Sequence, residues 1–289
     1  MTSTGHTFRK LLSTGPVPLP GAFNPLVGRM IAASGFQAAY LSGAAFSAGQ
    51  LALPDVGLFG LAELAEETRR LTRACDLPIL VDADTGFGEA LAVERTMREL
   101  EDAGAAAIQI EDQELPKRCG HLSGKSLIST DAMCAKIRAA VAARRDPATM
   151  LVARTDARGV TNLEEAILRA RAYVAAGADA IFPEALTTRE EYVRFRQEIQ
   201  TPLIANMTEF GKSPLLSLQE WGSLGYNGVL FPVTLLRVAL RGVQAALREL
   251  RATGTQAGFL SQLQTRQELY DLLGYQDYET RDQAYFGNL

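Results

Sequence analysis

One unit recurs along this chain: an amphipathic helix, a glycine, and a short apolar segment that ends in polar residues. The glycines lie in Ala33-Ser34-Gly35, Asp102-Ala103-Gly104, Ala176-Gly177-Ala178 and Leu224-Gly225. A glycine directly after a helix permits the left-handed backbone conformation in which many helices end. These glycines therefore mark helix ends, and the apolar segments after them are predicted to be strands.

Eight apolar segments have the length and composition of buried strands. They begin near residues 17, 37, 78, 107, 150, 180, 202 and 229. Apolar strands that alternate with helices are typical of a parallel sheet covered on both faces. Eight units in 289 residues predict an α/β fold, the (β/α)8 barrel of the TIM type. An open, doubly wound sheet is the alternative, but residues 21–24 lack the glycine pattern that binds a dinucleotide phosphate.

No linker rich in Pro, Ser or Gly divides the chain, so we expect residues 1–289 to form one barrel domain. Residues 253–289 follow the eighth unit and are predicted to be a helical extension. Leucines give this extension an apolar face: Leu260, Leu263, Leu269, Leu272 and Leu273. That face could pack on its own barrel or on a neighbouring subunit.

Composition narrows the functional classes. A net charge of −4 with scattered basic residues argues against a nucleic-acid surface, and no apolar run is long enough to span a membrane. The first ten residues do not resemble a signal peptide. The three cysteines, Cys75, Cys119 and Cys134, lack the spacing of a disulfide framework, so we expect a reducing, cytoplasmic location. With only His6 and His121 available, any metal ion should be held by oxygen.

Polar residues lie at the C-terminal ends of the predicted strands: Ser42, Asp82, Asp84, Glu111, Arg154, Asp156, Glu184, Asn206 and Thr208. In a barrel these ends meet at one mouth. Buried carboxylates without partners cost several kcal/mol each, so they either pair with arginines or hold a cation. We predict a Mg²⁺ site, with Mn²⁺ as the alternative ion, in which Asp84 binds directly and Asp82 and Glu111 bind through water.

The segment Lys117-Arg118-Cys119-Gly120-His121 places a thiol between two cations and an imidazole. Nearby positive charge lowers the pKa of a thiol, and a thiol can also protonate a carbanion. A solvated loop is the alternative interpretation. We expect residues 114–127 to form a loop with few buried side chains that closes over bound substrate.

Several segments, in order along nearly the whole chain, resemble the isocitrate lyase and phosphoenolpyruvate mutase superfamily. They are Tyr40-Leu41-Ser42-Gly43, Leu53-Pro54-Asp55, residues 81–88, Glu111-Asp112-Gln113, residues 117–121, residues 153–157, Phe182-Pro183-Glu184-Ala185 and residues 206–211. The tail Gln264-Thr265-Arg266-Gln267-Glu268-Leu269-Tyr270 resembles the branch that cleaves 2-methylisocitrate.

The resemblance implies a Mg²⁺-dependent carbon–carbon lyase that converts 2-methylisocitrate to pyruvate and succinate, in the methylcitrate cycle of propionate catabolism. It also implies a homotetramer, a dimer of dimers, whose C-terminal helices are swapped between subunits.

The same resemblance implies roles for individual residues. Cys119 would be the general acid that protonates the succinate carbanion. Tyr40 is the candidate to take the proton of the C2 hydroxyl, with Glu184 or a metal-bound water as alternatives. Arg154 would clamp a carboxylate in two-pronged fashion, and Lys117 would tune Cys119 or bind the outer carboxylates.

The remaining substrate contacts divide between the two ends of the substrate. Ser42 and the amides of Gly43 and Ala44 would hold the pyruvyl carboxylate, and His121 and Asn206 would orient the succinyl end. Further substrate contacts are expected from Asp55, Arg118, Gly120, Phe182, Glu184 and Thr208.

Some residues depart from the pattern of the 2-methylisocitrate branch. Ala44-Ala45 replaces a glycine run, and residues 121–125 are closer to isocitrate lyases and to carboxyphosphoenolpyruvate mutase. Phe182 stands where isocitrate lyases have tryptophan, and the smaller ring leaves room for a methyl group worth ~0.8 kcal/mol. Isocitrate lyase, the phosphonate mutases and an oxaloacetate hydrolase are alternative functions, and a non-catalytic binding barrel is a further one.

Overall fold

The computed structural model of the chain describes residues 3–118, 120 and 124–287. Within this part of the chain eight strands alternate with helices. The strands are β1 (Val17–Pro20), β2 (Ala39–Leu41), β3 (Ile79–Asp82), β4 (Ala107–Glu111), β5 (Met150–Thr155), β6 (Ala180–Pro183), β7 (Ile204–Asn206) and β8 (Gly228–Phe231). The helices are α1 (Thr4–Thr14), α2 (Pro25–Ala33), α3 (Gly43–Leu51), α4 (Leu61–Ala74), α5 (Ala90–Asp102), α6 (Thr130–Ala143), α7 (Ala157–Val160), α8 (Leu163–Ala175), α9 (Arg189–Glu198), α10 (Leu218–Ser223), α11 (Thr234–Thr253), α12 (Arg266–Leu273) and α13 (Tyr275–Phe286), with a 3₁₀ helix at Ala257–Gln262.

The strands form a closed parallel barrel. Strands β2 to β6 pair in sequence order, and β8 pairs with both β1 and β7. Two isolated parallel bridges join these groups, one between Gly21 and Tyr40 and one between Ile181 and Leu203. The predicted (β/α)8 fold is confirmed, because each strand lies parallel to its neighbours around the ring.

Alternation along the strands separates two apolar layers. One layer contains every second strand residue, including Leu19, Leu80 and Val152, and fills the barrel interior. The other contains the intervening residues, such as Val81 and Leu151, and packs against the surrounding helices. Towards the C-terminal strand ends the same interior face carries polar side chains such as Gln109 and Glu111.

Helix α1 closes the opposite end of the barrel. Phe8 and Leu12 join the interior layer, and Asn227, just before β8, donates a hydrogen bond from Nδ2 to the carbonyl of Leu12 at 2.9 Å. Arg9 pairs with Asp179 at 2.7 Å, just before β6. The end of the barrel that remains open is therefore the one formed by the C-terminal ends of the strands.

The chain divides into two compact units, Met1–Leu236 and Arg237–Leu289. The first unit contains the barrel. The second contains most of α11, the 3₁₀ helix, α12 and α13. Of these, the 3₁₀ helix, α12 and α13 lie within residues 253–289, where a helical extension was predicted. No described helix combines the length and the apolar character needed to cross a bilayer.

Candidate active site

Polar side chains from successive strands meet at the C-terminal mouth of the barrel. Alternation continues the interior face of each strand into this mouth, so apolar residues below are followed by polar residues above. Nearly all the polar residues expected at the strand ends are less than a tenth exposed: Ser42, Asp82, Asp84, Glu111, Arg154, Asp156, Glu184 and Asn206. Thr208 is only half-buried.

Asp82 and Asp84 face the N-terminus of α3. Asp82 accepts hydrogen bonds from the amide of Gly43 at 3.1 Å, from Nε2 of Gln109 at 3.0 Å and from the amide of Asp84 at 3.2 Å. A Cβ atom at Gly43 would lie 3.2 Å from one carboxylate oxygen of each aspartate. The two carboxylates therefore converge on the space beside Gly43, as their spacing of two residues predicted.

Lys117 joins this pair from the loop after β4. Its Nζ atom lies 2.7 Å from Oδ1 of Asp84 and pairs with Asp55. Burial disfavours the charged form of Lys117, but Asp84, Glu111 and the other carboxylates outweigh that effect and raise the pKa of its ammonium group. Lys117 is therefore a permanent cation at the edge of the carboxylate cluster.

Asp84 and Glu111 have their pKa values raised by burial. The pKa of Asp84 rises to about 7, because burial and the charge of Asp82 outweigh the attraction of Lys117. Burial raises the pKa of Glu111 well above its usual value although Arg154 opposes the shift. Among the described residues, none donates a hydrogen bond to Oδ2 of Asp84 or to Oε1 of Glu111. Such orphaned oxygen atoms are what a bound cation would satisfy.

The fit of these residues to Mg²⁺ depends on water ligands. In the described part of the chain no three carboxylate, imidazole or thiol groups converge closely enough to hold an ion by themselves. Mg²⁺ usually retains several waters and takes only one or two carboxylates directly. The orphaned oxygens and the surplus of carboxylates around Lys117 fit such an ion, while the ligand set Asp82, Asp84 and Glu111 stays a prediction.

Arg154 is surrounded by three carboxylates. Its Nε and Nη2 atoms donate to the two oxygens of Asp156 at 2.9 and 3.0 Å, and it lies 3.3 Å from Glu111 and 3.5 Å from Glu184. Burial lowers the pKa of the guanidinium, but these carboxylates more than compensate and raise it. The group lies 5.2 Å above the ring centre of Phe182, so Phe182 forms the floor beneath it.

Glu184 and Asn206 form a second polar pair. Oε1 of Glu184 accepts a hydrogen bond from the amide of Ala185 at 2.8 Å, and Oε2 accepts one from Nδ2 of Asn206 at 3.1 Å. Oδ1 of Asn206 is buried and accepts no hydrogen bond from any described residue. This amide oxygen is therefore available to a ligand in the mouth.

Tyr40 is a hydrogen-bond donor in this site. Its hydroxyl lies 3.1 Å from Oε1 of Gln109. Burial, and then the charge of Asp82, raise the pKa of the phenol well above its usual value. The residue is therefore a neutral phenol here, and a role as proton acceptor requires additional positive charge nearby.

Ser42 and Gly43 begin helix α3, as the predicted anion-binding position requires. The hydroxyl oxygen of Ser42 accepts a hydrogen bond from the amide of Ala45 at 3.3 Å, and the Gly43 amide is bonded to Asp82. The Gly43 amide is thus already used, which differs from its expected role as a direct contact to a substrate carboxylate.

Two of the predicted loop residues, Cys119 and His121, lie outside the described residues. Among their described neighbours, Arg118 is held through its main chain and Gly120 lies against the mouth. Gln113 exchanges two hydrogen bonds with the main chain of Arg118, at 2.9 and 2.8 Å. A Cβ atom at Gly120 would lie 2.4 Å from Nη2 of Arg154 and 2.5 Å from Cγ of Glu184. Only glycine permits this close approach.

Most of the described residues within 114–127 are exposed, as expected, but three of them are buried. Lys117 and Lys125 are 4% and 8% exposed, and Gly120 is buried as well. Each lysine has acidic partners from elsewhere in the barrel, Asp55 and Asp84 for Lys117 and Asp156 for Lys125. These ion pairs make burial of the ammonium groups favourable, which spacing along the chain could not reveal.

Sequence reasoning assigned no role to Gln109, which lies in the site, or to Asp112, which lies next to it. Gln109 connects Tyr40 to Asp82, and its position two residues before Glu111 on β4 was a usable signal. Lys125 lies in the loop expected to close over substrate and is buried. Asp112 was singled out only as part of a motif, yet it accepts hydrogen bonds from the Asp156 amide and the Tyr173 hydroxyl, both at 2.8 Å.

The chain matches known proteins along nearly its full length. Residues 8–251 match the family model described as phosphoenolpyruvate phosphomutase. The 2-methylisocitrate lyase of Aeropyrum pernix is 54% identical over 279 residues, which cover 96% of this chain and 90% of that protein.

Two solved structures show the same fold. A 2,3-dimethylmalate lyase, described as a member of the PEP mutase/isocitrate lyase superfamily, superimposes with a TM-score of 0.92 at 33% identity, covering 99% of this chain and 96% of the other. An oxaloacetate acetylhydrolase gives a TM-score of 0.92 at 32% identity, with 98% and 97% covered. This chain therefore belongs to the phosphoenolpyruvate mutase and isocitrate lyase superfamily of enzymes.

Proposed function

We propose that the protein is a carbon–carbon lyase that cleaves 2-methylisocitrate to pyruvate and succinate. The observation that carries the proposal is the 54% identity to a 2-methylisocitrate lyase over 96% of the chain. The solved relatives with other activities are 32–33% identical. The arginine and the lysine of the buried mouth, together with a cation held by its carboxylates, suit a substrate that carries three carboxylates.

Asp82, Asp84 and Glu111 are the residues that would hold Mg²⁺, with Mn²⁺ as an alternative ion. The orphaned oxygens of Asp84 and Glu111 support this assignment. When bound, the ion supplies Lewis-acid stabilisation of negative charge on substrate oxygens. Asp55 acts on the other side of Lys117 and holds its ammonium beside Asp84.

Substrate binding is assigned to the rim of the same mouth. Ser42 and the amide of Ala44 hold the pyruvyl carboxylate at the start of α3, with Gly43 orienting Asp82. Arg154 faces a second carboxylate while Phe182 supports it from below. Further contacts come from the loop after β4 and from the ends of β6 and β7: Arg118, Gly120, His121, Glu184, Asn206 and Thr208.

The reaction breaks the C2–C3 bond of the substrate. The C2 hydroxyl loses its proton, a carbonyl forms at C2, and the electron pair of the broken bond moves to C3 of the departing succinate. The thiol of Cys119 then donates its proton to that carbon. Tyr40 and Glu184 are the candidates for the proton acceptor. Glu184 is held in place by Ala185 and Asn206, and Tyr40 starts as a neutral phenol.

Product assays test the function directly. Purified protein with Mg²⁺ is assayed for 2-oxoacid release from 2-methylisocitrate, isocitrate and 2,3-dimethylmalate, and for oxalate release from oxaloacetate. We expect kcat/KM to be highest for 2-methylisocitrate, with pyruvate and succinate formed in equal amounts. Higher kcat/KM for isocitrate, or oxalate release from oxaloacetate as the dominant activity, would replace this assignment by one of the alternatives.

The C-terminal helices support self-association. Leu240, Val243, Leu247 and Leu250 follow helical spacing along α11 and are 40–59% exposed in the single chain. Exposed apolar faces of this kind mark protein interfaces. We assign them to a cytoplasmic homotetramer, a dimer of dimers with swapped C-terminal helices. Light scattering on wild type and Leu247→Glu tests this, since a monomeric wild type would contradict it.

A further inference from the structure

Lys125 is a buried lysine in the loop between β4 and α6. Its side chain is 1% exposed, and its Nζ atom lies 2.7 Å from Oδ1 of Asp156. The same ammonium donates a hydrogen bond to the carbonyl of Gly120. A lysine is rarely buried this deeply unless it is paired, so these two contacts are what keep Lys125 inside the protein.

Asp156 connects Lys125 to the substrate-facing arginine. Oδ1 of Asp156 accepts from both Lys125 and Nη2 of Arg154, and Oδ2 accepts from Nε of Arg154. The main chain of Asp156 is itself held, because its amide donates to Oδ1 of Asp112 at 2.8 Å. A shift of Lys125 would therefore move the Asp156 carboxylate, which orients the guanidinium of Arg154.

Gly120 contacts both Lys125 and Arg154. Its backbone lies so near Arg154 and Glu184 that a Cβ atom would be 2.4 Å from Nη2 of the arginine. The carbonyl of this glycine is held by Lys125. Lys125, Asp156, Arg154 and Gly120 thus form a ring in which the lysine ties the main chain of the loop to the end of β5.

Lys125 is placed to act through these neighbours rather than on substrate. Asp156 and the Gly120 carbonyl accept from two of its three N–H groups, and a Cβ atom at Gly159 of α7 would lie 3.1 Å from Nζ. The ammonium is paired with Asp156 and its side chain is only 1% exposed, so it is not open to a substrate carboxylate in the mouth. An ammonium that binds substrate would instead be expected to face the open mouth.

We propose that Lys125 is a positioning residue of the lyase, which holds the Gly120 main chain against Arg154 through Asp156 and does not touch substrate. The inference rests on the proposed function, because the groups it positions are those assigned to the lyase reaction. Arg154 and the loop must both be in place when the substrate reaches the transition state. Loss of Lys125 should therefore lower kcat more than it raises KM.

The test compares Lys125→Met with Lys10→Met, a control at an exposed lysine on α1. For Lys125→Met we expect kcat on 2-methylisocitrate to fall about 50-fold or more with KM within about threefold of wild type. Amide hydrogen exchange in peptides that contain Gly120 should become faster in Lys125→Met, while peptides from β1 to β3 keep wild-type rates. Lys10→Met should match wild type in every measurement.

A second variant separates positioning from a folding defect. Lys125→Ala leaves a space that ethylammonium can enter, and this cation should restore part of the lost kcat and slow exchange around Gly120 again. An increase in KM at unchanged kcat would show that Lys125 binds substrate and would overturn the proposal. So would wild-type kcat together with wild-type exchange in Lys125→Met.

The exchange measurement also separates this proposal from the proposed function. A wild-type protein that releases no pyruvate from 2-methylisocitrate would contradict the function. Faster exchange around Gly120 in Lys125→Met, measured on that same protein, would still support the anchoring role of Lys125. If the wild-type protein is an active lyase but exchange around Gly120 is unchanged in Lys125→Met, only the anchoring role of Lys125 is contradicted.

Discussion

The Nζ atom of Lys117 lies 2.7 Å from Oδ1 of Asp84, and both side chains are almost completely buried. Even with this cation beside it, Asp84 has its pKa raised to about 7, because burial and the neighbouring Asp82 charge dominate. The single positive charge of Lys117 is therefore too little to keep Asp84 fully ionised beside the buried Asp82 at neutral pH. A divalent cation bound here would supply more positive charge, and proton and metal should compete for Asp84.

Stability of the metal-free protein should depend on this carboxyl. Its folded-state pKa is raised above the unfolded value of 3.8, so the folded protein binds the proton more tightly. The free energy of unfolding should then fall as pH rises from about 4 to 7, by up to about 4 kcal/mol at 1.36 kcal/mol per pKa unit. Urea titrations across this range check the slope, and Asp84→Asn should flatten it. An equal slope in both proteins would contradict the assignment.

Affinity for Mg²⁺ should increase as pH rises, because the proton and the metal ion compete for Asp84. As pH rises from 6 to 8, Asp84 loses its proton and the apparent Kd for Mg²⁺ should fall about tenfold. EDTA should abolish pyruvate release, and added Mg²⁺ or Mn²⁺ should restore it. Titration calorimetry on the wild-type protein and on Asp84→Asn measures the Kd for Mg²⁺ at each pH. Full activity in EDTA-treated, metal-free protein would rule out the metal site.

Cys119→Ser should remove the proton donor while leaving the fold unchanged. A hydroxyl is a far weaker acid than a thiol near neutral pH, so kcat should fall by about 10³-fold or more. Cys75 and Cys134 are buried, and burial raises the pKa of both thiols. Cys75→Ala and Cys134→Ala should therefore retain activity. Inactivation by a thiol reagent that modifies only Cys75 would show that the wrong cysteine was chosen.

Gly120→Ala should disturb the mouth without unfolding the barrel. The added methyl group would collide with Arg154 and Glu184 at 2.4–2.6 Å, and the loop would have to move away from them. A misplacement near 1 Å costs about 10²-fold in rate. Steady-state kinetics and thermal unfolding check this. Gly242→Ala is the matched control, since nothing lies within 4 Å of a Cβ atom at that position. Equal kinetics in the two variants would refute the prediction.

Phe182→Trp should shift substrate preference. Phe182 lies beneath the Arg154 guanidinium, and a larger ring there would take the space of the substrate methyl group. Discrimination by one methyl group is worth about 10-fold or more in kcat/KM. The ratio of kcat/KM for 2-methylisocitrate over isocitrate should fall by about that factor. Phe182→Leu, which keeps the space open, should not invert the ratio, and an unchanged ratio in Phe182→Trp would reject the role of this ring.

Local properties of the sequence determined the barrel and the location of its mouth. Glycines such as Gly104 and Gly177 end helices because they adopt positive φ, at 94° and 112°. Apolar runs specify strands because they are covered on both faces, and alternation sends Asp82, Glu111 and Arg154 to the same end of the barrel. Each of these signals acts within a few residues along the chain, so sequence alone was enough.

Only the tertiary structure decided which charges meet. Lys117 pairs with Asp55, 62 positions earlier, and Lys125 pairs with Asp156, 31 positions later. Asp112, next to Glu111, faces away from the mouth and binds Tyr173. Whether an ammonium is buried depends on the balance between its desolvation and the carboxylates that packing brings within a few ångströms. Those distances are set by the closed barrel, and no spacing in the sequence encodes them.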